Sequence, residues 1–349
     1  MKKKKVAVVG ATGVAGQQFL ASLSGHPYFE VVALAASERS AGKKYRDAMT
    51  WHLAGGIPDT VADLTVQDCK PGNAPKLVFS AMDAGVATEI ERAFAEAGHV
   101  VVSNSRNHRM EQDVPLLVPE INPDHLKLVP GQRKARGWKG QIVTNPNCST
   151  VVLTMGLAPF KPFGIVRIVA TTMQAISGAG YPGVASMDIM GNVIPFIGGE
   201  EAKMEQETQK ILGELRGDRI EPLPARMSAH CNRVPVVDGH TVCVSVEFSA
   251  KPSLADLRHS IDAFTAVPQQ RSLPSAPLRP VIYLEEANRP QPRKDAERER
   301  GMTASIGRLR ECPVLDYKFV CLGHNTVRGA AGAAVLNAEL MHSEGMLDQ

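Results

Sequence analysis

Short apolar runs alternate with amphipathic stretches over the first third of the chain. Lys5 to Gly10 reads as a buried strand running into a glycine loop, and Val14 to Leu23 as a helix. Val31 to Ala36, Leu77 to Ala81 and Val100 to Ser103 are further strand-length apolar runs, while Ala84 to Ala97 is a helix ended by Gly98. Near-continuous apolar strands separated by helices predict a parallel sheet covered on both faces. Pro115 to Gly140, rich in proline, glycine and basic residues, reads as irregular.

After Asn145 the texture changes. Val151 to Leu157 predicts a helix whose cap is Ser149–Thr150. Strand-like runs follow at Ile165 to Ala175, Val234 to Val237 and His240 to Ser249, and Asp238–Gly239 between the last two is a hairpin signal. Leu254 to Phe264 is a short amphipathic helix, Arg289 to Arg300 a charged excursion, and Ala330 to Leu340 a closing helix. The expected fold class is α/β. A dinucleotide-binding half is followed by an α+β half with antiparallel strands.

The 349 residues suit about two domains, and 44% hydrophobic with 21% charged residues argues against disorder. A net charge of +3 gives no basis for nucleic-acid binding. Lys2 to Lys5 is read as a solvated start, because Val6 to Val9 after it is too short for a signal peptide. No apolar run reaches the roughly 18 residues of a membrane span. The six cysteines lie far apart with no C-x-x-C pair, which excludes a zinc site or a disulfide framework. A cytoplasmic enzyme with reduced thiols and no metal is expected.

Gly10, Gly13 and Gly16, three apart between a strand and a helix, let the backbone turn tightly and approach a pyrophosphate. The residues Thr12, Val14 and Ala15 belong to the same loop. After the second strand comes Ser37–Glu38–Arg39–Ser40. Hydroxyls and a guanidinium suit a 2′-phosphate, so NADP is the expected cofactor, with Glu38 as the counter-argument. Cys148, in Asn145–Pro146–Asn147–Cys148–Ser149–Thr150, sits at a helix start, where the dipole favours thiolate. Asn147 and the helix N–H groups are candidates for an oxyanion site. The other five cysteines lack such flanks. Arg233 and His240 flank a predicted strand and turn and are candidates for a substrate anchor and a base.

Seven ordered strings, among them the glycine loop, NPNCST from Asn145, QAISGAG from Gln174, GEEAKMEQET from Gly199 and RVPVVDGHT from Arg233, resemble the aspartate-semialdehyde dehydrogenase family in its archaeal and fungal branch. The matches run from about residue 5 to 340. The resemblance implies a Rossmann-type NADP domain over residues 1–147 and 325–349. A catalytic and dimerisation domain like that of glyceraldehyde-phosphate dehydrogenase would occupy 148–324. It implies Cys148 as nucleophile, His240 as acid/base, and Arg233 on the substrate carboxylate. Gln174 would orient the substrate, and Glu200, or Glu201 beside it, would meet its amino group. Lys203 and Arg109 would hold the phosphate, and Asn147 would be among the substrate-binding residues. Asn325, Ser80 and Ser177, with Gly178 and Gly180, would line the cofactor path. The implied substrates are β-aspartyl phosphate or aspartate semialdehyde with phosphate, and the implied assembly is a homodimer or homotetramer. Malonyl-CoA reductase, or another acyl-phosphate or thioester reductase on this fold, is the alternative.

Overall fold

The structure, a computed structural model, describes residues 2–348. Six parallel strands form the first sheet: β1 (Lys4–Val9), β2 (Phe29–Ala36), β3 (Val66–Asp68), β4 (Leu77–Ser80), β5 (Val100–Ser103) and β6 (Gln141–Thr144). Their order is β3-β2-β1-β4-β5-β6, so the chain switches direction between β1 and β4. Ligands of such sheets bind at that switch point, outside the carboxyl ends of the strands. Helices α1 (Val14–Leu23) and α2 (Ala84–Glu96) leave from β1 and β4.

Pro115 to Gly140 is more regular than its composition predicts. Pro123–Leu128 forms a 3-10 turn that runs into α3 (Val129–Arg136). Pro123 and Pro130 fall in the first turns, where a missing N–H costs nothing. Gly137, at φ 66, ends the helix in the left-handed region.

Helix α4 (Cys148–Leu157) begins where β6 ends and is buried along nearly its whole length. It packs against the second sheet, sharing a core with Ile168, Val242, Val244 and Phe319. That sheet comprises β7 (Ile165–Gln174), β10 (Arg226–Arg233), β11 (His240–Phe248), β12 (Val281–Leu284), β13 (Ala304–Glu311) and β14 (Tyr317–Gly323). A small hairpin of β8 (Glu214–Arg216) and β9 (Arg219–Glu221) stands apart. Helices α5 (Glu200–Ile211) and α6 (Leu254–Ala263) cover the second sheet, and α7 (Gly332–Ser343) returns to the first.

The predicted hairpin at Asp238–Gly239 does not form. The strand is Arg226–Arg233, not Val234–Val237, and it pairs in parallel with β7, while β11 pairs antiparallel with β7's other edge. Pro235, lacking an N–H, cannot continue a ladder, so residues 234–239 cross the end of β7 instead. The Arg289 to Arg300 excursion holds short helical turns, Pro292–Asp295 and Arg298–Gly301, tied to buried Asp295 by Arg289, Arg298 and the Gln291 N–H. The closing helix starts at Gly332, after a π turn over Val327–Ala331.

Arg328 in that π turn forms a fully buried, two-pronged pair with Glu120, both bonds at 2.7 Å. Removing one partner of such a pair strands the other charge in the interior. Glu120→Ala is expected to lower denaturant-unfolding stability by about 3–5 kcal/mol. A loss under about 1 kcal/mol in urea titration would show that the pair is not buried as described.

Candidate active site

Three neighbouring strands bring their residues together at one end of the second sheet. Arg233 ends β10, Gln174 ends β7 and His240 begins β11, with Arg233 in register with Gln174. The crossing of residues 234–239 is pinned by Val234 N–H to the Gln174 carbonyl and by Ile176 N–H to the Val236 carbonyl. Arg233 Nη1 donates to the Ala175 carbonyl at 2.7 Å, and the Ala175 N–H donates to His240 Nδ1 at 3.1 Å. Gly178 lies over both side chains. A Cβ there would come within 3.0 Å of Arg233 Nη1 and of His240 Cε1.

Cys148 faces this end of the sheet from the first position of α4, and its Sγ is 3.2 Å from His240 Nε2. The helix starts earlier than Ser149–Thr150 suggests because Asn147 is its cap. The Asn147 carboxamide oxygen accepts from the Ser149 and Thr150 N–H groups. Its amide nitrogen donates to both Glu200 oxygens, at 3.0 and 2.9 Å. Both ends of the Asn147 side chain are therefore engaged. Gln174 Nε2 reaches the Ser149 hydroxyl at 3.2 Å.

Helix α5 carries Glu200, Lys203, Glu207 and Lys210 on one face, at spacings of three and four. Lys203 donates to Glu200 at 2.8 Å. Glu207 accepts from the Asn147 N–H at 2.7 Å and from Arg109 Nη1 at 3.0 Å. Buried Lys210 donates to the carbonyls of Arg109, Glu111 and Val114, which fixes the loop bearing Arg109. Burial pushes the Lys210 ammonium down to about 8. Arg109 Nε and the Asn104 amide are buried beside this loop without a protein partner among the described residues. The adjacent acids separate cleanly: Glu200 is at the cysteine, and Glu201 accepts from the Cys231 N–H on β10. Glu207, Lys210 and Ser149 escaped the sequence reading, although the charge spacing along 200–210 was the available signal.

The expected thiolate is opposed by its surroundings. Burial pushes the Cys148 thiol up to about 12, with Glu200 adding to the rise; Arg109, Arg233 and the Ser149 N–H oppose it without prevailing. Burial and then Arg233 hold His240 down at about 3, so its ring is neutral. Glu200 stays ionised despite burial, because Lys203, Asn147 and Ser149 all donate to it.

A second cleft, about 1010 Å³, opens at the switch point of the first sheet. Gly10, Thr12, Gly13, Val14, Ala15, Ser37, Glu38, Arg39 and Gly180 line it. A Cβ on Gly10 or Gly16 would strike backbone at 2.5 or 2.3 Å, whereas one on Gly13 would make only ordinary contact, 3.7 Å from the Gly10 carbonyl oxygen. Gly13 caps α1 without a side-chain bond, and the first turn holds no acid. The N–H groups there are thus free for an anion such as a pyrophosphate. Sequence reasoning missed Lys70, which lines the same cleft as Arg39, and the stack of His52 on Tyr181 at 3.8 Å, both also in its lining. Some expected cofactor residues lie off this cleft. Ser80 is fully buried and donates to Glu91 at 2.6 Å, and Ser40 is buried in the turn after β2. Asn325 accepts from the Gly239 N–H and donates to Ser177, both at 2.8 Å, bracing the turn before His240.

A glycine-loop parallel sheet joined to a mixed sheet that ends in a cysteine–histidine pair defines a two-domain dinucleotide-dependent dehydrogenase. Residues 5–129 match the semialdehyde dehydrogenase NAD-binding domain family and residues 157–328 the semialdehyde dehydrogenase dimerisation domain family. The chain is 47% identical to the aspartate-semialdehyde dehydrogenase of Archaeoglobus fulgidus, covering 98% of this chain and 99% of that one. It is 46% identical to the enzyme of Candida albicans over 99% and 100% of the two chains. The crystal structure of aspartate semialdehyde dehydrogenase with NADP from Candida albicans superposes with a TM-score of 0.92 at 44% identity, over 99% of this chain and 100% of that one. The structure of aspartate semialdehyde dehydrogenase II complexed with ASA from Vibrio cholerae superposes at 0.78 and 26% identity, over 99% of each chain. The chain belongs to the aspartate-semialdehyde dehydrogenase family.

Two measurements test the site. A Cβ at Gly329 would lie 2.7 Å from Cys148 Cβ, so Gly329→Ala displaces the thiol. Its kcat should drop about a hundredfold while the protein still unfolds cooperatively. Unchanged kcat would contradict that packing. With the thiol at about 12, the thiolate fraction at pH 8 is about 10⁻⁴. Iodoacetamide labelling of Cys148 should therefore climb about tenfold per pH unit up to pH 10, and Glu200→Gln should speed it. A plateau below about pH 9 would sink this account of the resting thiol.

Proposed function

We propose that the chain catalyses the reversible, NADPH-dependent reductive dephosphorylation of β-aspartyl phosphate to aspartate semialdehyde, a step toward lysine, threonine, methionine and isoleucine. The observation that carries this reading is the 3.2 Å approach of Cys148 to His240, with an arginine and a carboxylate beside it and two cations close by. The substrate bears a carboxylate, an ammonium and an acyl phosphate. Arg233 answers the first, Glu200 the second, and Lys203 with Arg109 the third. The unpartnered Arg109 Nε supports the phosphate assignment.

Cys148 attacks the acyl carbon, phosphate leaves, and a thioester forms on the sulfur. NADPH, when bound, supplies the hydride that reduces this thioester. Gln174 and Ser149 orient the acyl group, and His240, 3.2 Å from the sulfur, serves as the acid/base of the reaction. Gly10, Gly13 and the start of α1 cradle the pyrophosphate. Arg39 and Ser37 take the 2′-phosphate, and Gly180 lines the path to the sulfur. Asn325, Ser177 and Gly178 shape the nicotinamide end by bracing the loop over His240.

The cofactor domain comprises residues 1–147 with 325–349, and 148–324 form the catalytic and oligomerisation domain. The chain acts as a homodimer or homotetramer. Exposed Val166 and Val169 on β7, with Tyr181, Met187, Met190, Val193 and Phe196 in the following loop, support a partner on that side. No helix is long and apolar enough to cross a membrane among the described residues. We read the enzyme as cytoplasmic.

Phosphate-dependent reduction of NADP by aspartate semialdehyde tests the reading. Cys148→Ala should lose on the order of 10⁴-fold or more in rate while still binding NADP. Full activity in that variant, or NADPH oxidation with malonyl-CoA but not the reverse reaction with aspartate semialdehyde, would overturn the assignment. A preference for NAD would overturn the role of Arg39.

A further inference from the structure

We infer that Glu91 and His108 are positioning residues for Arg109, clamping the loop from Ser103 to Glu111 onto helix α2 so that the guanidinium meets the phosphate in one fixed place. The inference deepens the dehydrogenase reading given above and rests on it for the phosphate role of Arg109.

Glu91 is a buried carboxyl that the mechanism leaves unused. It ties together three separate pieces of chain. Its Oε1 accepts from the Ser80 and Ser103 hydroxyls, at 2.6 and 2.7 Å. These serines end β4 and β5 and pair in register. Ser103 Oγ in turn accepts from the Ser105 N–H at 3.0 Å, and the Ser80 carbonyl accepts from the Asn104 N–H at 3.0 Å. Glu91 Oε2 faces His108 Nε2 at 3.6 Å, within ion-pair reach. Neither of those two atoms has a hydrogen-bond partner among the described residues. Glu91 thus holds the loop at its start and again beside Arg109.

The same face of α2 repeats the clamp. Asn107 donates to the Ala84 carbonyl at 2.8 Å and to the Thr88 hydroxyl at 2.6 Å. Ala84, Thr88 and Glu91 are four and three apart, so they share one side of the helix. The loop is therefore gripped from two directions. Helix α2 holds Ser103, Asn107 and His108, while Lys210 of α5 holds the carbonyls of Arg109 and Glu111. The Arg109 side chain spans the gap, with Nη2 on the Asn104 carbonyl at 2.8 Å and Nη1 on Glu207 at 3.0 Å. That leaves Nε for an anion.

The charge state of the clamp suits this task. Glu111 stays ionised despite burial, because His108 and Arg136 oppose it. It lies 2.9 Å from His108 Nδ1, so that nitrogen carries a proton. Bare lone pairs on both His108 Nε2 and Glu91 Oε2 would repel in a buried site, so one further proton lies between them. Whichever atom holds it, the Glu91–His108 pair is neutral overall. It fixes Arg109 without competing with phosphate for its charge. Burial raises the Glu91 carboxyl above its usual range, against the serine hydroxyls, His108 and Arg109, in keeping with a proton shared in this way.

The test is steady-state kinetics of the full-length protein in the oxidative direction, with phosphate varied at saturating aspartate semialdehyde and NADP. His108→Leu and Glu91→Leu should each raise KM for phosphate about tenfold, the scale of one misplaced hydrogen bond to a charged group, with kcat held within about threefold. Glu91→Gln keeps an acceptor for the serines and a donor for His108, so its KM for phosphate should stay within about twofold of the parent. KM for NADP is the internal control, because Val86 and Ile90 of the same helix line the cofactor cleft. A merely structural role would raise both KM values together, or lower only the melting temperature, and either result refutes the positioning role. Should Glu91→Leu fail to fold, His108→Leu decides alone, since it leaves the serine contacts intact. Arg109→Gln separates this inference from the reading beneath it. If Arg109→Gln raises KM for phosphate and His108→Leu does not, the positioning role falls and the phosphate role of Arg109 stands. If Arg109→Gln leaves KM for phosphate unchanged, both fall.

Discussion

Everything at the reactive end of the molecule hangs on how the first turn of α4 is held. Asn147 caps the helix with its oxygen, donates to Glu200 with its amide, and gives its backbone N–H to Glu207. One residue therefore fixes the helix start to two acids of α5 and places Cys148 one position later. Because Glu207 also holds Arg109, the loop from the first sheet is registered against the same point. Cys148, Glu200 and the loop bearing Arg109 form one hydrogen-bonded unit, so a shift in any of them moves the others. Loss of a hydrogen bond here leaves a buried charge, which costs more than the bond itself contributes.

That unit explains why the thiol is dormant. Four charges, Glu200, Lys203, Glu207 and Arg109, lie around the start of α4, yet they mostly neutralise one another. The largest influence on Cys148 is burial, followed by Glu200, and both favour the neutral form. A helix N-terminus contributes a fraction of a charge, which is too little to offset removal from water.

The sequence made the first sheet legible because parallel strands buried on both faces are written as apolar runs, and because Gly10, Gly13 and Gly16 mark the loop unambiguously. Cys148 stood out for its flanks. The second sheet was harder. His240 is legible from its flanks, but its neighbouring strand is not, because the apolar run Val234–Val237 beside Asp–Gly imitates a hairpin while Pro235 lacks the N–H a ladder needs. The true strand, Arg226–Arg233, mixes polar and small residues, since its alternate side chains face outward. The charged face of α5 was read one residue at a time, which hid Glu207 and Lys210. Desolvation of the thiol had no sequence signal, because it depends on what packs around the sulfur and not on what precedes it.

The C-terminal segment completes the same logic from the far side. Gly329 must be glycine because Cys148 Cβ occupies the space a side chain would need. Its neighbour Arg328 is fully buried and paired with Glu120, a residue of the loop between β5 and β6. The pair sets the depth to which the π turn enters, and that depth brings Gly329 against the nucleophile. A hydrophobic pair of equal volume would bury as well but would lack the two-pronged geometry that fixes distance. The buried charges are thus better understood as setting position than as adding stability: they hold the closing segment against Cys148, whose sulfur lies beside His240.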